Sequence, residues 1–314
     1  MITINSITIE EYKELEQSID FIPLWASSIA AEGYSNREII VLRDKSIVKL
    51  IFVLPLYNDG NRITAEREYR VYPYASPVIF ENDNLKRRKY VYEVFKYIKS
   101  KYPLIELPLH FEFKDYAAVQ SLGMFIDMWH THITYKKLES DDLTTKLRYN
   151  TSYANKRVKI KVDQNYEEFD FYQAIHGDEK EIELRKRNVI NLIKNNKAII
   201  FSAYEKETNE KIASTVISYD SKCAYYLHCY RKKESIRGVV SLMLLKAIEY
   251  SFDELKVCCF DFEGAVLQNI DKFLSTFNVD IIPYGYLYFA KDELEYMELI
   301  KSTIYIEGRL ENEE

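Results

Sequence analysis

Twice along this chain a helix-like stretch gives way to apolar strands, then to a helix, a strand, a short helix and a closing strand. That recurrence limits the architecture more than any single motif does. Each copy alternates periods of 3.6 and 2 in the order of a mixed sheet covered by helices. In the first copy, Thr8 and Glu11 form a capping box for a helix through Leu15. Residues 38–43 and 46–57 read as strands, and the second (SIVKLIFVLPLY) is apolar enough to be central. Asn58-Asp59-Gly60-Asn61 is a turn, and 68–74 a further strand. A helix over 85–102 closed by Pro103, a strand over 105–113, a short helix over 115–122 stopped by Gly123 and a strand over 129–138 complete the copy.

The second copy begins with helices over 169–175 and 179–195. Strands over 197–205, 211–219 and 222–230 follow, with a turn at Thr208-Asn209. Next come an amphipathic helix over 239–252, a strand over 256–262, a short helix over 269–277 and a strand over 281–289. At 314 residues the chain has room for two domains. The expected division is 1–142, a basic inter-domain segment over 143–164, a second domain over 165–290, and an acidic helical tail over 291–314.

Charge is distributed unevenly between these parts. The chain is acidic as a whole, at −6, which speaks against nucleic-acid binding over its general surface. Lys146, Arg148, Lys156, Arg157, Lys159 and Lys161 nonetheless crowd one segment that holds no acid. Tyr149 and Tyr153 are interleaved with them, so phosphates and stacked bases are one expectation there and a solvated helix face the other. The four cysteines lie in apolar, strand-like surroundings without zinc spacing, as expected of reduced, buried thiols. No signal-peptide pattern opens the sequence and no apolar run reaches bilayer length, so a cytoplasmic protein is expected. No hydrolase triad or metal motif is spaced along the chain.

The chemistry-bearing stretch is FDFEGAVLQNIDKFLSTF, from Phe260 to Phe277. Strand alternation would put Asp261 and Glu263 on one face and Phe262 on the other. Like charges side by side at a strand end repel, so the pair reads either as a solvated terminus or as two acids at the mouth of a cleft. On the strand before, Tyr225 and Tyr226 point to opposite faces, one to the core and one to the cleft, and His228 would share the face of Tyr226.

Phe260-Asp261-Phe262-Glu263-Gly264, followed by Asn269 to Phe273 and Phe277-Asn278, resembles the FemABX-like proteins. These are tandem acyltransferase-fold proteins that include the aminoacyl-tRNA-dependent peptidoglycan bridge transferases. Phe273 and Phe277 match the family's Phe-x-x-x-Phe-Gly ending, with Asn278 in the glycine place, a residue that tolerates a left-handed helix end. Leu274 stands where the bridge transferases often carry the lysine associated with an RNA-linked donor. Pro55-Leu56 and the turn at 72–77 match the first half less specifically.

The resemblance implies an α+β chain of two tandem GNAT-like domains (the acyl-CoA N-acyltransferase superfold) with mixed central sheets. It implies a transferase that moves an aminoacyl group from aminoacyl-tRNA to an amine acceptor such as a cell-wall precursor, with a tRNA acceptor stem as a partner. Two alternatives stand beside it: an N-acyltransferase using acyl-CoA or acyl-carrier protein, and a non-catalytic binding protein with a degenerate cleft. No tightly bound cofactor is expected. Acetyl-CoA enzymes of this fold cradle diphosphate in an Arg/Gln-x-x-Gly-x-Gly/Ala loop, because side chains there would block the phosphates. The corresponding loop, Arg231 to Val240, has Gly238 but bulky Val240 in the second small place. Asp261 and Glu263 are the expected catalytic acids, to hold an ammonium or relay its proton. Tyr226, Arg148, Lys156, Arg157, Arg237, Lys272 and Tyr286 are the expected substrate contacts.

Overall fold

The computed structural model describes residues 1–57, 62–64, 74–163, 165–171, 179–233, 235–263 and 268–292. Two units divide them: Met1–Trp129 with the chain from Pro283 onward, and His130–Ile282. The first opens on a strand not expected from the sequence, β1 (Ile2–Ile7). Helix α1 (Ile9–Glu16) follows, capped as expected by Thr8 and Glu11. After α2 (Ser28–Gly33) come β2 (Arg37–Asp44) and β3 (Ile47–Pro55), and then β4 (Arg62–Thr64) and β5 (Val78–Ile79). Helix α3 (Asn84–Lys101), β6 (Leu104–Pro108), α4 (Tyr116–Gln120) and β7 (Phe125–Thr134) follow.

Strands β1, β2, β3 and β5 pair antiparallel in that order. The apolar run in β3 is central because both its faces are covered. Ile40, Leu42, Leu50, Phe52 and Leu54 of β2 and β3 share a core with Val91, Val94, Phe95 and Ile98 of α3. A second group pairs β4 parallel with β6, and β6 antiparallel with the last strand, β13 (Asp280–Ala290).

The second unit holds α5 (Thr145–Arg157), β8 (Val158–Asp163), α6 (Glu179–Lys194), β9 (Ala198–Glu205), β10 (Lys211–Tyr219) and β11 (Cys223–Arg231). It closes with α7 (Val239–Asp253), β12 (Cys259–Asp261) and α8 (Gln268–Leu274). Its strand order is β12-β11-β10-β9-β8, antiparallel except for β11 with β12. The His130–Thr134 part of β7 lies beside β12, with Asp261 opposite Ile133. Phe201, Leu244, Ile248, Phe260, Phe262, Leu274 and Phe277 form the core.

Several boundaries differ from expectation for local reasons. The basic segment is not a spacer: it is α5 and the edge strand β8, inside the second unit. Helix α5 buries Leu147, Thr151 and Ala154 on one face, which a linker would not do. The final strand belongs mostly to the first unit, against β6. Strand β7 stops at Thr134, whose hydroxyl bonds both the N–H and the carbonyl of Lys136 and turns the chain. Asn209 and Asn278 take left-handed backbones with φ of 56° and 53°, as their turn and helix-end roles require. The turn at 58–61, residues 68–73, most of the helix over 169–175 and the tail beyond 292 lie outside the described residues. Among the described residues no helix is long and apolar enough to cross a membrane.

The first unit buries the carboxyl group of Glu38, at 5% exposure. It accepts hydrogen bonds from Tyr97 Oη (3.1 Å), Lys101 Nζ (2.5 Å) and Tyr102 Oη. Burial pushes its carboxyl up, but the bonds from Lys101 and Tyr102 and the lysine's charge outweigh that, leaving it below the usual range. A depressed folded value means stability that is complete above the unfolded carboxylate's ordinary range, about 4.3, and is lost as pH falls through the folded value. Glu38→Gln is expected to cost about 2–3 kcal/mol at pH 7 in urea unfolding. The gap to wild type should shrink below about pH 4, and a gap independent of pH would refute the assignment.

Candidate functional site

Two neighbouring parallel strands part company at one residue pair. Strands β11 and β12 pair over three positions only: Cys223 with Cys259, Ala224 with Phe260, and Tyr225 with Asp261. Strand β12 then ends, while β11 runs on to Arg231 along β10. Asp261 marks the end. It is fully buried, and its Oδ1 accepts the Thr131 hydroxyl at 2.5 Å and the Glu263 N–H at 2.8 Å. Phe262 N–H turns instead to the His132 carbonyl (2.9 Å). Glu263 takes a left-handed backbone, φ 57°. The two acids therefore do not line one strand face. The strand has stopped before Glu263, and Asp261 fixes the backbone on which Glu263 sits.

The gap left by β12 holds a cavity of about 550 Å³. Tyr226, Cys229 and Arg231 of β11, Gly238 to Ser241 at the start of α7, Asn150 of α5, and Asn269, Ile270, Phe273 and Leu274 of α8 line it. A volume of this size suits a small-molecule group. A β-bulge decides which β11 side chains reach it. Val216 faces His228 and Ile217 faces Tyr226, so Leu227 has no opposite residue. The extra residue resets the alternation, so Tyr226 and Cys229 reach the cavity together and His228 does not. His228 is held neutral, its imidazole pushed down to about 3 by burial and the charge of Arg185.

Tyr225 is the core member of the tyrosine pair, its hydroxyl 3.4 Å from Asp220 Oδ2. Tyr226 is the cleft member. Burial, Cys229 and the charge of Glu263 hold its phenol well above the usual range, so it stays protonated. Burial likewise pushes the Cys229 thiol up to about 11, which leaves no thiolate nucleophile.

The loop that would cradle a diphosphate in an acetyl-CoA enzyme is filled by the protein itself. Gly238 has φ 83°, and a Cβ there would meet the Asn150 backbone oxygen at 2.4 Å. The glycine admits helix α5, not a phosphate. The next N–H, of Val239, is already given to the Ile236 carbonyl. Neither Gly238 nor the Val239 N–H is therefore open to a diphosphate.

Of the other expected contacts, none reaches the cavity. Arg148, Lys156 and Arg157 are exposed on α5. Arg157 stacks over Tyr153 at 3.9 Å, and Arg148 lies 3.6 Å from Asp141. Arg237 and Lys272 are exposed beside the cavity-lining segments but not among the lining residues. Tyr286 is buried in the first unit, its ring 4.4 Å from Trp129 and 4.8 Å from Tyr288, and is a packing residue. Asn150, Cys229, Ser241, Asn269 and Ile270 were not signalled, because nothing local distinguishes a pocket-lining Asn or Ile from any other. Leu274 is 1% exposed and closes the wall of the cavity.

The same architecture occurs in solved structures. FemX superposes with a TM-score of 0.66 at 12% identity, over 93% of this chain and 98% of its own. L-PGS from Bacillus licheniformis gives 0.56 at 12% identity, over 99% of both chains. A tandem GNAT protein from the clavulanic acid biosynthesis pathway gives 0.52 at 9% identity, over 92% and 98%. The chain thus has the tandem GNAT fold. No protein-family model matches the sequence, and no curated protein matches it.

Two substitutions test the construction of the site. Gly238→Ala forces either α5 or the loop to move and is expected to cost about 2–3 kcal/mol in thermal or denaturant unfolding. Asp261→Ala strands the Thr131 hydroxyl and the Glu263 N–H without their acceptor, at a similar cost. Wild-type stability in either variant would refute the packing described.

Proposed function

We propose that the chain is an acyltransferase that moves an acyl or aminoacyl group from an activated ester or thioester onto an amine. The observation that carries this reading is the apolar cavity opened where β11 and β12 separate, in a fold shared with FemX and L-PGS. Ligands in sheets with parallel strands bind outside the carboxyl ends of those strands, where neighbours diverge.

In this reading the acyl group enters the cavity with its carbonyl at Tyr226. The amine nitrogen attacks the carbonyl carbon, a C–N bond forms, and the bond to the leaving oxygen or sulfur breaks. Glu263, close enough for its charge to act on Tyr226, takes the proton the amine loses. The neutral Tyr226 phenol donates a hydrogen bond to the charge that develops on the carbonyl or leaving atom. Asp261 acts through Glu263, as a positioning residue. An activated donor requires no covalent enzyme intermediate.

An aminoacyl-tRNA donor with a cell-wall precursor as acceptor is a second reading, favoured by the outer face of α5. Lys146, Lys156 and Arg157 are exposed there with Tyr149, which is 65% exposed. An RNA acceptor stem would meet cations and stacking surfaces along that helix.

The test is amide formation, followed by mass spectrometry, with an amine panel and separate aminoacyl-tRNA and acyl-thioester donors. No product with any donor would sink the proposal. Tyr226→Phe is expected to lower kcat about 10- to 100-fold with KM little changed, and Glu263→Gln about 100-fold or more. Double reversal to Lys156→Glu and Arg157→Glu should raise KM several-fold for aminoacyl-tRNA alone. An equal effect on a small thioester would remove the RNA reading.

A further inference from the structure

We propose that the free edge of β8 takes up an extended segment of another protein, alternating apolar and acidic residues, as an added antiparallel strand. This edge shares no lining residue with the cavity beside β11, and the inference does not depend on the transfer proposed above.

The backbone supplies the template. Strand β8 ends the strand order, with β9 on one side and no described strand on the other. The Lys206 N–H bonds the Arg157 carbonyl, so by alternation residues 157, 159, 161 and 163 turn their carbonyls toward β9. Ile160 and Val162 turn their N–H and C=O groups outward, and among the described residues nothing receives them. A row of unpaired donors and acceptors is what a further strand needs.

The side chains on one face of this edge select apolar partners. Val158, Ile160 and Val162 face α7, and with Phe201 and Tyr250 they floor a groove of about 330 Å³. Val162 is 41% exposed there. An added strand would direct every second side chain over this floor, where apolar groups gain by burial. Glu249 and Asp253 at the rim are already met by Lys246 and Lys137, each at 2.5 Å.

The opposite face selects charge. Lys159 and Lys161 are exposed, and among the described residues neither has a carboxylate partner. Lys161 instead lies over the Tyr204 ring, 4.4 Å from its centroid. Side chains directly opposite on paired strands share a face, so acids on the added strand would stand against both lysines. The same lysines disfavour a second copy of this chain. Antiparallel pairing of β8 with itself through Ile160 and Val162 would set the two copies of Lys161 face to face. Charge thus turns the edge away from itself and toward an acid-bearing partner.

Fluorescence anisotropy with the full chain tests this, using labelled Gly-Val-Glu-Val-Glu-Val-Gly amide and its counterpart with lysine in place of glutamate. The acidic peptide should bind at least about tenfold tighter. N-methylation at its valines, whose N–H groups would point at β8, should weaken binding at least about tenfold, and at its glutamates less than about threefold. Val162→Pro removes an outward N–H that β9 does not use, so it should cost at least about tenfold in binding with little change in unfolding temperature. Lys159→Glu combined with Lys161→Glu should reverse the preference between the two peptides.

Equal affinity for both peptides, indifference to methylation at the valines, or no binding by any of them would each overturn the inference. A dimer of this chain in sedimentation that Val162→Pro dissociates would also overturn it, giving the edge to a second copy.

Discussion

A single buried carboxylate shapes the second unit. Asp261 sits at the last rung of the parallel ladder, and a carboxylate with no water around it must be met by donors. Thr131 supplies one from β7 and the Glu263 backbone supplies another. The second bond ends the strand. Once the Asp261 side chain has taken the N–H two residues on, the backbone curls into the left-handed region and cannot continue alongside β11. Strand β11 is left with an open flank, and the cavity occupies it. Were Asp261 apolar, nothing local would stop β12 from zipping further along its neighbour.

The walls of that opening come from departures from ideal geometry on the elements around it. Leu227 is an extra residue in β11, and its insertion turns Tyr226 and Cys229 toward the same space. Gly238 permits a contact between α5 and the start of α7 that any side chain would prevent. Leu274 and Phe277, in turn, anchor α8 and the turn after it in the core, while Ile270 and Phe273 on the same helix face the cavity. Each feature trades regularity for position, which is where sites are built.

Elements with strong periodicity were legible in the sequence. The apolar run of β3, the amphipathic α7, the Thr8 capping box and the left-handed Asn278 all follow from side-chain pattern and backbone preference. The cleft was legible in place but not in construction. Alternation assigns Asp261 and Glu263 to one face only while a strand lasts, and the strand is ended by the very residue being assigned. It assigns His228 to the face of Tyr226 only if no bulge intervenes, and bulges of this kind carry no local signature when the extra residue is a leucine. The cations of α5 suggested a linker because charge is visible in sequence, whereas the buried stripe of Leu147, Thr151 and Ala154 is short and chemically mixed. Spacing alone does not place Tyr286, because its ring packing against Trp129 is long-range.

Gly238 shows why a loop motif cannot stand for a ligand. A glycine at φ 83° ahead of a helix announces that something approaches the backbone closely, but the sequence does not say what. In an acetyl-CoA enzyme of this fold it is a phosphate. Here it is the Asn150 peptide group, whose carbonyl oxygen would be 2.4 Å from an added Cβ. A carbonyl oxygen at that point presents a partial negative charge where a phosphate would have to sit, so packing and electrostatics oppose an anion together. The fold can therefore keep its parted strands, its open flank and its cavity while Gly238 is given to the backbone of Asn150. Fold and donor are set by different contacts, so a shared architecture at 9–12% identity does not bring a shared donor with it.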